Sequence, residues 1–399
     1  MKKVGIVAEY NPFHNGHLYQ IEEIKRRLGK DTFIAAVISG NFVQRGEFSY
    51  LNKWEKTAIS LKSGVNLIVE LPLYYSIQNA EIFSRMSTGI LESLKLDFQV
   101  FGAEEENMEI FKEIIRLQAE KDYREKLLGY IKEGNSYGTA QRKVLLEYGY
   151  RNIVKSNNIL ALEYMRAMER ERMNIKPYII RREVSEYNEN EIDETREGIA
   201  GATFIRRQLE REAPDFSFIR RFIPPDTFEI LMKKYKYNRE NGISAEKIKN
   251  EIFKFIKYKL LMERKEEIIK IYDITTEIYA RIYKEVKKSE TYETFLKRIK
   301  SRNFSSKRIE RITLNILLNI QREILDCKQE YIRVLGFDER GREYLKYLKS
   351  SKKNENIFVN WKDIEKSINS KKIEAEKNGF LVNELFTGEK ERLNPIIVK

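Results

Sequence analysis

The chain has 399 residues, enough for two domains, and 42% of them are hydrophobic, which supplies a packed core and argues against a disordered protein. Its 74 Lys and Arg residues against 61 Asp and Glu give a net charge of +13. That balance favours a polyanionic partner, nucleic acid before membrane, with a merely lysine-rich surface as the alternative. The single cysteine, Cys327, excludes a disulfide framework and a cysteine-rich zinc site. No signal-peptide core or membrane-length apolar run is evident, so we expect a soluble, cytoplasmic protein.

The amino terminus predicts a strand, a turn and a helix. Residues 4–8 form an apolar run typical of a buried strand. Asn11-Pro12 signals a turn, because proline fixes φ and cannot continue a central strand. Apolar residues then recur every three or four positions between 18 and 28, as in a helix. The two histidines of the chain, His14 and His17, both fall in this turn.

The turn has the chemistry of an anion site. Backbone amides and the positive end of a helix dipole meet there, and Gly16 has no Cβ to keep a phosphate away from the main chain. Each imidazole can donate a hydrogen bond to a phosphoryl oxygen, and either can carry a proton near neutral pH. We therefore predict a nucleoside triphosphate site. The alternatives are a structural turn or a metal site, but only Glu9 lies near enough to serve as a further ligand.

Strands and helices alternate along the next 180 residues. Apolar runs at 33–39, 67–71, 98–101 and 177–182 predict strands, and 53–62, 80–94 and most of 107–170 predict helices. This order is typical of a parallel sheet with helices on both faces. Ligands bind such sheets at the carboxyl ends of the strands, which makes the polar loop 39–47 with Arg45, and Gly102, candidate contacts. Arg45 is equally compatible with a plain surface position.

A second domain is predicted after Pro224-Pro225, because the next proline is Pro395 and the intervening chain is rich in helix-forming residues. The domains are thus 1–223, catalytic, and 224–399, helical and basic. Residues 297–311 hold seven basic residues and one acid. Since the acids that would balance a solvated helix face are missing from this run, it favours nucleic-acid contact. Residues 331–345 predict a compact turn between helices.

Several segments together resemble one known family. They are residues 7–17 (VAEYNPFHNGH), the loop 39–47, Asn157-Asn158-Ile159-Leu160, Ile199-Ala200 with Ala202-Thr203, the basic run 302–311 and residues 331–337 (YIRVLGF). The turn resembles the HxGH nucleotidyltransferase superfamily, and the whole set resembles the tRNA(Met) cytidine acetate ligases. The resemblance implies an α/β fold, a Rossmann-like parallel sheet of the HxGH nucleotidyltransferase type followed by a mainly α-helical C-terminal domain.

The resemblance also implies an activity and a site. ATP and acetate would form acetyl-adenylate with release of pyrophosphate, and the acetyl group would pass to N4 of the wobble cytidine of elongator tRNA(Met). Mg²⁺ is expected with ATP, and neither a resident metal nor a protein partner is expected. The implied catalytic residues are His14 and His17. The implied ATP contacts are Val7, Ala8, Glu9, Tyr10, Asn11, Pro12, Phe13, His14, Asn15, Gly16, His17, Leu18, Tyr19, Gln20, Gly102, Asn157 and Arg182, with Arg181 as the alternative to Arg182. The tRNA contacts predicted in the basic run are Lys300, Arg302, Lys307, Arg308 and Arg311.

The sequence departs from the family pattern at four places. Asn52 and Asn66 stand where acidic residues are expected, so weaker positioning of Mg²⁺ or of a lysine is predicted. Tyr187-Asn188-Glu189 replaces an expected Tyr-His-Asp, and Ser156 an expected proline. Two other functions stay open from the residues alone. A small-molecule adenylyltransferase would explain the histidine turn but not the basic domain, and a non-catalytic RNA-binding protein would explain only the basic domain.

Overall fold

The computed structural model describes residues 1–182, 198–301, 304–325, 330–351, 356–368 and 370–398. The strands are β1 Lys3–Ala8, β2 Phe33–Ser39, β3 Phe42–Val43, β4 Glu47–Phe48, β5 Leu67–Leu71, β6 Phe98–Ala103, β7 Lys176–Arg181, β8 Ile332–Phe337, β9 Ile357–Phe358 and β10 Ile396–Ile397. The helices up to the predicted boundary are α1 Asn15–Leu28, α2 Lys53–Lys62, α3 Leu73–Ser76, α4 Ala80–Ser93, α5 Met108–Leu117, α6 Lys121–Lys132, α7 Tyr137–Glu147, α8 Ser156–Arg170, α9 Ala202–Leu209 and α10 Phe216–Arg220. Those after it are α11 Pro225–Glu240, α12 Ala245–Met262, α13 Lys265–Ile268, α14 Thr276–Lys288, α15 Tyr292–Ile299, α16 Ser306–Leu318, α17 Arg322–Leu325, α18 Glu339–Ser350, α19 Trp361–Ser367 and α20 Lys371–Thr387.

The main sheet has the strand order β10-β8-β5-β2-β1-β6-β7. Strands β5, β2, β1, β6 and β7 pair in parallel, which confirms the predicted α/β class. The chain steps from β1 through β2 to β5 on one side and then crosses to β6 on the other side of β1. The strand order therefore reverses beside β1, and a cleft for ligands opens at the carboxyl end of that strand.

Strand β2 shows why the sheet is covered on both faces. It is buried along its whole length, and its alternate residues point to opposite sides. Phe33 joins the core that includes Ile90 of α4, and Ile34 joins the core that includes Ile24 of α1. A parallel strand buried on both faces reads as a continuous apolar run, which is why its bounds are predictable from sequence.

The prediction of a turn at 331–345 is wrong. Residues Ile332–Phe337 form β8, which pairs antiparallel with β5, and α18 follows directly. Gly336 is a packing residue here, because a Cβ on it would lie 2.6 Å from Thr57 Cγ2 and 2.9 Å from the carbonyl oxygen of Ile396. Its small size lets β8 lie close against α2 and β10.

The helical region has a core of its own, built by residues such as Ile256, Ile282, Phe295 and Ile312. The boundary between 223 and 224 stays a prediction. The residues after this region do return to the main sheet, since β8 and β10 extend it beyond β5. Within the described ranges, no helix has both the length and the apolar character that a membrane crossing needs.

A buried ion cluster joins β8 to the rest of the sheet. Arg333, which is 2% exposed, contacts Glu70 of β5 at 3.2 Å and Glu391 at 2.9 Å, and donates to the carbonyl oxygen of Arg392 at 2.8 Å. The ammonium group of Lys53 lies 2.9 Å from the carboxylate of Glu70 and 3.0 Å from that of Glu391. Each buried charge therefore has opposite charges as partners.

Substitution of Arg333 by alanine removes one of the two buried cations that pair directly with Glu70 and Glu391 in the described structure, and leaves Lys53. We expect Arg333→Ala to lower the free energy of unfolding by about 3–5 kcal/mol, measured by urea denaturation. The control is Lys112→Ala, which removes an exposed pair with Glu109 and is expected to change stability by less than about 0.5 kcal/mol. Equal small effects in both variants would contradict the importance of the cluster.

Candidate active site

A cleft of about 690 Å³ opens at the carboxyl ends of β1, β6 and β7. Thirteen of the predicted ATP contacts line it: Val7, Ala8, Glu9, Tyr10, Asn11, His14, Gly16, His17, Tyr19, Gln20, Gly102, Asn157 and Arg182. Arg181, the alternative to Arg182, lines it too. The predicted contacts that do not line the cleft are Pro12, Phe13, Asn15 and Leu18. The structure thus brings most of the predicted site together, while contact with a ligand stays a prediction.

The histidine turn is closed by hydrogen bonds between its own residues. His14 is the N-cap of α1, and its Nδ1 accepts from the backbone N–H of Gly16 at 3.1 Å. His17 Nδ1 accepts from the backbone N–H of His14 at 3.2 Å. The two rings stack with their centroids 3.7 Å apart. The arrangement is a capping box in which both side chains are imidazoles.

These hydrogen bonds fix the protonation of both rings. Because Nδ1 of each ring accepts a backbone hydrogen bond, the proton of the neutral imidazole lies on Nε2. Burial and the nearby positive charge of Arg182 lower the pKa of His14 to about 3. Burial, His14 and Arg182 lower the pKa of His17 well below its usual value. Both shifts favour the neutral ring, so we expect His14 and His17 to act as neutral Nε2–H donors near neutral pH rather than as protonated imidazoles.

The residues that do not line the cleft hold the turn in place. Phe13 is fully buried in the core beside α1. The amide of Asn15 donates to the carbonyl oxygens of Gly198 at 2.7 Å and Arg221 at 2.9 Å. Leu18 packs against the same core as Phe13, and the peptide bond between Asn11 and Pro12 is cis.

One side of the cleft, at β6 and β7, carries a chain of polar contacts. Arg182 Nη1 donates to Asn157 Oδ1 at 2.7 Å, and Asn157 Nδ2 donates to Glu104 Oε1 at 2.7 Å. Gly102 lets the arginine fold back, because a Cβ there would lie 2.7 Å from Arg182 Cγ. Asn158 supports the same loop by accepting from the backbone N–H groups of Glu104 and Glu105. We call this part of the cleft the β6–β7 side.

The other side of the cleft lies under the β3–β4 hairpin, and we call it the hairpin side. Oε1 of Glu9, a half-buried residue, accepts from the backbone N–H of Gln44 at 2.6 Å. Burial raises the pKa of Glu9 despite the cations Lys56 and Arg45. Burial also lowers the pKa of Lys56 to about 7, and its ammonium group donates to the carbonyl oxygens of Ser39 and Gly40.

Sequence reasoning missed several residues that line the cleft, among them Glu104, Tyr164 and Arg206, and it included Gln44 only as a member of the candidate loop 39–47. Arg206 connects the turn to the hairpin, since its Nη1 donates to the carbonyl oxygen of Asn11 at 2.6 Å and its Nη2 to Glu47 at 3.0 Å. The signal for Arg206 was the segment Ile199-Ala200 with Ala202-Thr203, which contributes to the family resemblance and lies just before it. The signal for Gln44 was its place in the polar loop 39–47, beside Arg45, which also lines the cleft.

Acidic side chains lie next to the basic run 297–311 in the folded structure. Lys297 pairs with Glu293 at 2.6 Å, Lys307 with Glu310 at 2.5 Å, and Arg308 binds Asp273 through two hydrogen bonds of 2.7 and 3.0 Å. The premise that balancing acids are missing is therefore wrong, because Glu293 lies just before the run and Asp273 lies far from it in sequence. Lys300 is exposed, Arg311 is half-buried, and Arg302 lies outside the described residues.

The basic run lies against the hairpin that covers the cleft. Gly46, at the hairpin tip, has a φ of +79°, and a Cβ on it would lie 2.5 Å from the backbone nitrogen of Arg311. Only a glycine fits this contact. The hairpin side of the cleft is thus the side nearest to the basic run.

The departures Asn52 and Asn66 have structural roles. Asn52 caps α2 by accepting from the backbone N–H groups of Trp54 and Glu55. Asn66 accepts from the backbone N–H of Ile34 at 2.9 Å and donates to Asp338 at 2.7 Å. Neither side chain lines the cleft, so the predicted effect on Mg²⁺ has no support in their positions. The segment 187–189 and the side chain of Ser156 lie outside the described part of the structure.

No group of three or more His, Cys, Asp or Glu side chains that could hold a metal ion occurs among the described residues. The cleft instead collects cations, since Arg45, Arg181, Arg182 and Arg206 all line it. An anionic ligand of several charges fits such a lining.

The chain is similar to known proteins along almost its whole length. The sequence model of the HIGH Nucleotidyl Transferase family matches residues 1–391. A tRNA(Met) cytidine acetate ligase of Fusobacterium nucleatum is 35% identical over 391 residues, covering 96% of this chain and 93% of the relative. The protein of the same name from Anoxybacillus flavithermus is 34% identical, covering 88% of this chain and 87% of the relative.

Solved structures agree with the sequence relatives. The crystal structure of Thermotoga maritima TmcAL bound with alpha-thio ATP is 26% identical, covers all of both chains and superposes with a TM-score of 0.84. The apo form of that protein gives a TM-score of 0.86 at the same identity and coverage. The chain therefore belongs to the HIGH nucleotidyltransferases and, among them, to the tRNA(Met) cytidine acetate ligase family.

Proposed function

We propose that this chain is an ATP-dependent ligase that acetylates N4 of the wobble cytidine of elongator tRNA(Met). The observation that carries the proposal is the pair of neutral histidines at the strand-to-helix turn, in a cation-lined cleft, in a chain that belongs to this family. An oxygen of acetate attacks the α-phosphorus of ATP, and pyrophosphate leaves. N4 of the cytidine then attacks the acetyl carbonyl carbon, the bond to the AMP oxygen breaks, and N4 loses a proton.

The turn supplies the chemistry of the first step. Negative charge develops on the phosphoryl oxygens as pyrophosphate leaves, and preorganised donors in a dry site stabilise it strongly. His14 and His17 each present an Nε2–H that is already in the donating tautomer, and Gly16 leaves the amides at the start of α1 accessible. Mg²⁺, entering with the ATP phosphates, supplies further charge neutralisation.

The β6–β7 side is the proposed place of the adenosine. Arg182 and Asn157 are held there by their mutual hydrogen bond and by Glu104, and Gly102 lets Arg182 fold against the strand. The acceptor then approaches from the hairpin side, next to the basic run. Because its proposed substrates are tRNA and ATP, we propose that the reaction takes place in the cytoplasm. A small-molecule adenylyltransferase would give the basic run no role, and a non-catalytic RNA-binding protein would give the histidine turn no role.

Acetate-dependent exchange of pyrophosphate into ATP tests the first step, and mass spectrometry of nucleosides from elongator tRNA(Met) tests the second. We expect exchange that requires acetate, and N4-acetylcytidine at the wobble position only when ATP and acetate are both present. No exchange with ATP still bound would exclude the proposed activation. Acetate-dependent exchange without acetylation of tRNA would show that the proposed acceptor is wrong.

Substitution of His17 should separate catalysis from tRNA binding. His17→Ala removes one donor to the phosphoryl group and the cap on the His14 N–H, so we expect exchange to fall by about 100-fold or more. The dissociation constant for tRNA should change less than about threefold, because the basic run is untouched. Equal losses of exchange and tRNA affinity would instead indicate a misfolded variant, which circular dichroism would reveal.

Charge removal on the basic run should weaken tRNA binding. The double variant Lys300→Ala with Lys307→Ala is expected to reduce affinity and to lower the slope of log affinity against log salt by about 1.5, since each lost phosphate contact lowers it by about 0.7–0.9. The matched control is Lys2→Ala with Lys30→Ala, two exposed lysines at the amino ends of the strands, opposite the cleft. The same loss in both double variants would show that only net charge matters.

A further inference from the structure

The hairpin side of the cleft holds Glu9, one of the predicted ATP contacts, and Gln44, and the adenylation step described above assigns neither side chain a chemical role. Glu9 directly follows β1, and Gln44 lies between β3 and β4. They are neighbours, because the backbone N–H of Gln44 donates to Glu9 Oε1 at 2.6 Å, and both line the cleft. The ATP contacts predicted outside the turn, Gly102, Asn157 and Arg182, lie on the other side of β1.

Both side chains keep unused hydrogen-bonding capacity. Within the described residues Glu9 makes the single side-chain hydrogen bond to the Gln44 backbone, so its second carboxylate oxygen remains an acceptor. Gln44 Nε2 is buried and has no hydrogen-bond partner in the described part of the structure. Other buried side-chain polar atoms of the described residues also have no partner, and Gln44 Nε2 is one of those that belong to residues lining the cleft.

An acceptor beside a donor matches the amine-bearing edge of cytosine or of adenine, in which an exocyclic amine lies next to a ring-nitrogen acceptor. Because we assign the adenosine of ATP to the β6–β7 side, cytosine is the base that the hairpin side would receive. Cytosine presents its N4 amine as a donor next to N3 as an acceptor, and a carboxylate is a common partner of that amine. Uracil presents the reverse order, O4 as an acceptor next to N3–H as a donor. A carboxylate and an amide N–H side by side therefore fit cytosine and reject uracil.

We propose that Glu9 and Gln44 bind the Watson–Crick edge of the acceptor cytosine, with Gln44 Nε2 donating to N3 and the Glu9 carboxylate accepting from N4 and taking its proton during acyl transfer. This inference rests on the proposed function. When N4 attacks the acetyl carbonyl carbon, one N4–H bond breaks and its proton passes to Glu9. The bond between the acetyl carbon and the phosphate oxygen of AMP then breaks, and AMP leaves with the bonding electrons. Glu9 later releases the proton to water.

The surroundings suit both parts of this role. Lys56 of α2, Arg45 and Glu47 of the hairpin and Tyr164 of α8 are the titratable groups that face Glu9. Burial raises the pKa of Glu9, which makes its carboxylate a better base. The hairpin carrying Gln44 also touches the basic run through Gly46 and Arg311, so this side of the cleft adjoins the surface that we predict to hold tRNA.

The test compares two reactions of the full-length protein. One is acetate-dependent ATP–pyrophosphate exchange, which needs no acceptor, and the other is acetylation of an elongator tRNA(Met) transcript. We expect Glu9→Gln to lower the ratio of acetylation to exchange by about 100-fold or more, the usual size of a general-base effect. Gln44→Glu, which places a carboxylate against N3, should lower the ratio more than Gln44→Ala. The control Glu104→Gln makes the same chemical change on the β6–β7 side and should lower both reactions together.

A further readout separates chemistry from folding. Hydroxylamine is a strong nucleophile that reacts with acetyl-adenylate without a general base and without a base-binding site. The loss of tRNA acetylation in Glu9→Gln should therefore be at least about ten times larger than its loss of acetohydroxamate formation. In the unaltered protein the acetylation rate should rise with pH through the raised pKa of Glu9, and that rise should be absent in Glu9→Gln.

Two results would overturn the proposal. An unchanged ratio in Glu9→Gln and in both Gln44 variants would show that these side chains do not serve the acceptor. Loss of exchange in step with acetylation would place Glu9 in the adenylation step instead. Failure of the proposed function itself would look different, since exchange in the unaltered protein would then not depend on acetate.

Discussion

The fold of the active site depends on two reciprocal hydrogen bonds, in which Nδ1 of His14 and of His17 each accept from the backbone of the turn between β1 and α1. They cap the helix, stack the rings and leave each neutral imidazole with its proton on Nε2. A capping box of acidic residues would close the turn equally well but would repel a triphosphate. Histidines perform the structural and the chemical task at once.

The position of the turn follows from the sheet. Because the strand order reverses beside β1, the turn divides the cleft into the β6–β7 side, with Arg182 and Asn157, and the hairpin side, with Glu9 and Gln44. Arg206 bonds the turn to the hairpin strand, and the contact of Gly46 with Arg311 joins the hairpin to the helical region. The two half-reactions that we propose, adenylation and acyl transfer, thus have separate sides of one cleft.

The elements that the sequence predicted correctly are those whose structure depends on residues close together in the chain. The strands β2 and β5, buried on both faces, were found at their observed bounds, and the histidine turn was found from its residue types. Strand β8 was missed because Gly336 and Gly341 look like turn residues. In the structure Gly336 packs against Thr57 and Ile396, and Arg333 of the same strand is buried by its pairs with Glu70 and Glu391. The ion pair of Arg308 with Asp273 and the contact of Glu9 with Gln44 join residues about 35 positions apart, and no periodicity reports such pairs.

The central claim is that both histidines are neutral Nε2–H donors, and nuclear magnetic resonance of the ring nitrogens tests it directly. The chain has two histidines, so the long-range ¹H–¹⁵N spectrum of labelled protein holds two imidazole patterns. The account predicts an unprotonated Nδ1 and a protonated Nε2 in both rings, without titration between about pH 5 and about pH 8. A proton on Nδ1, or titration near the ordinary value of about 6.5, would contradict it.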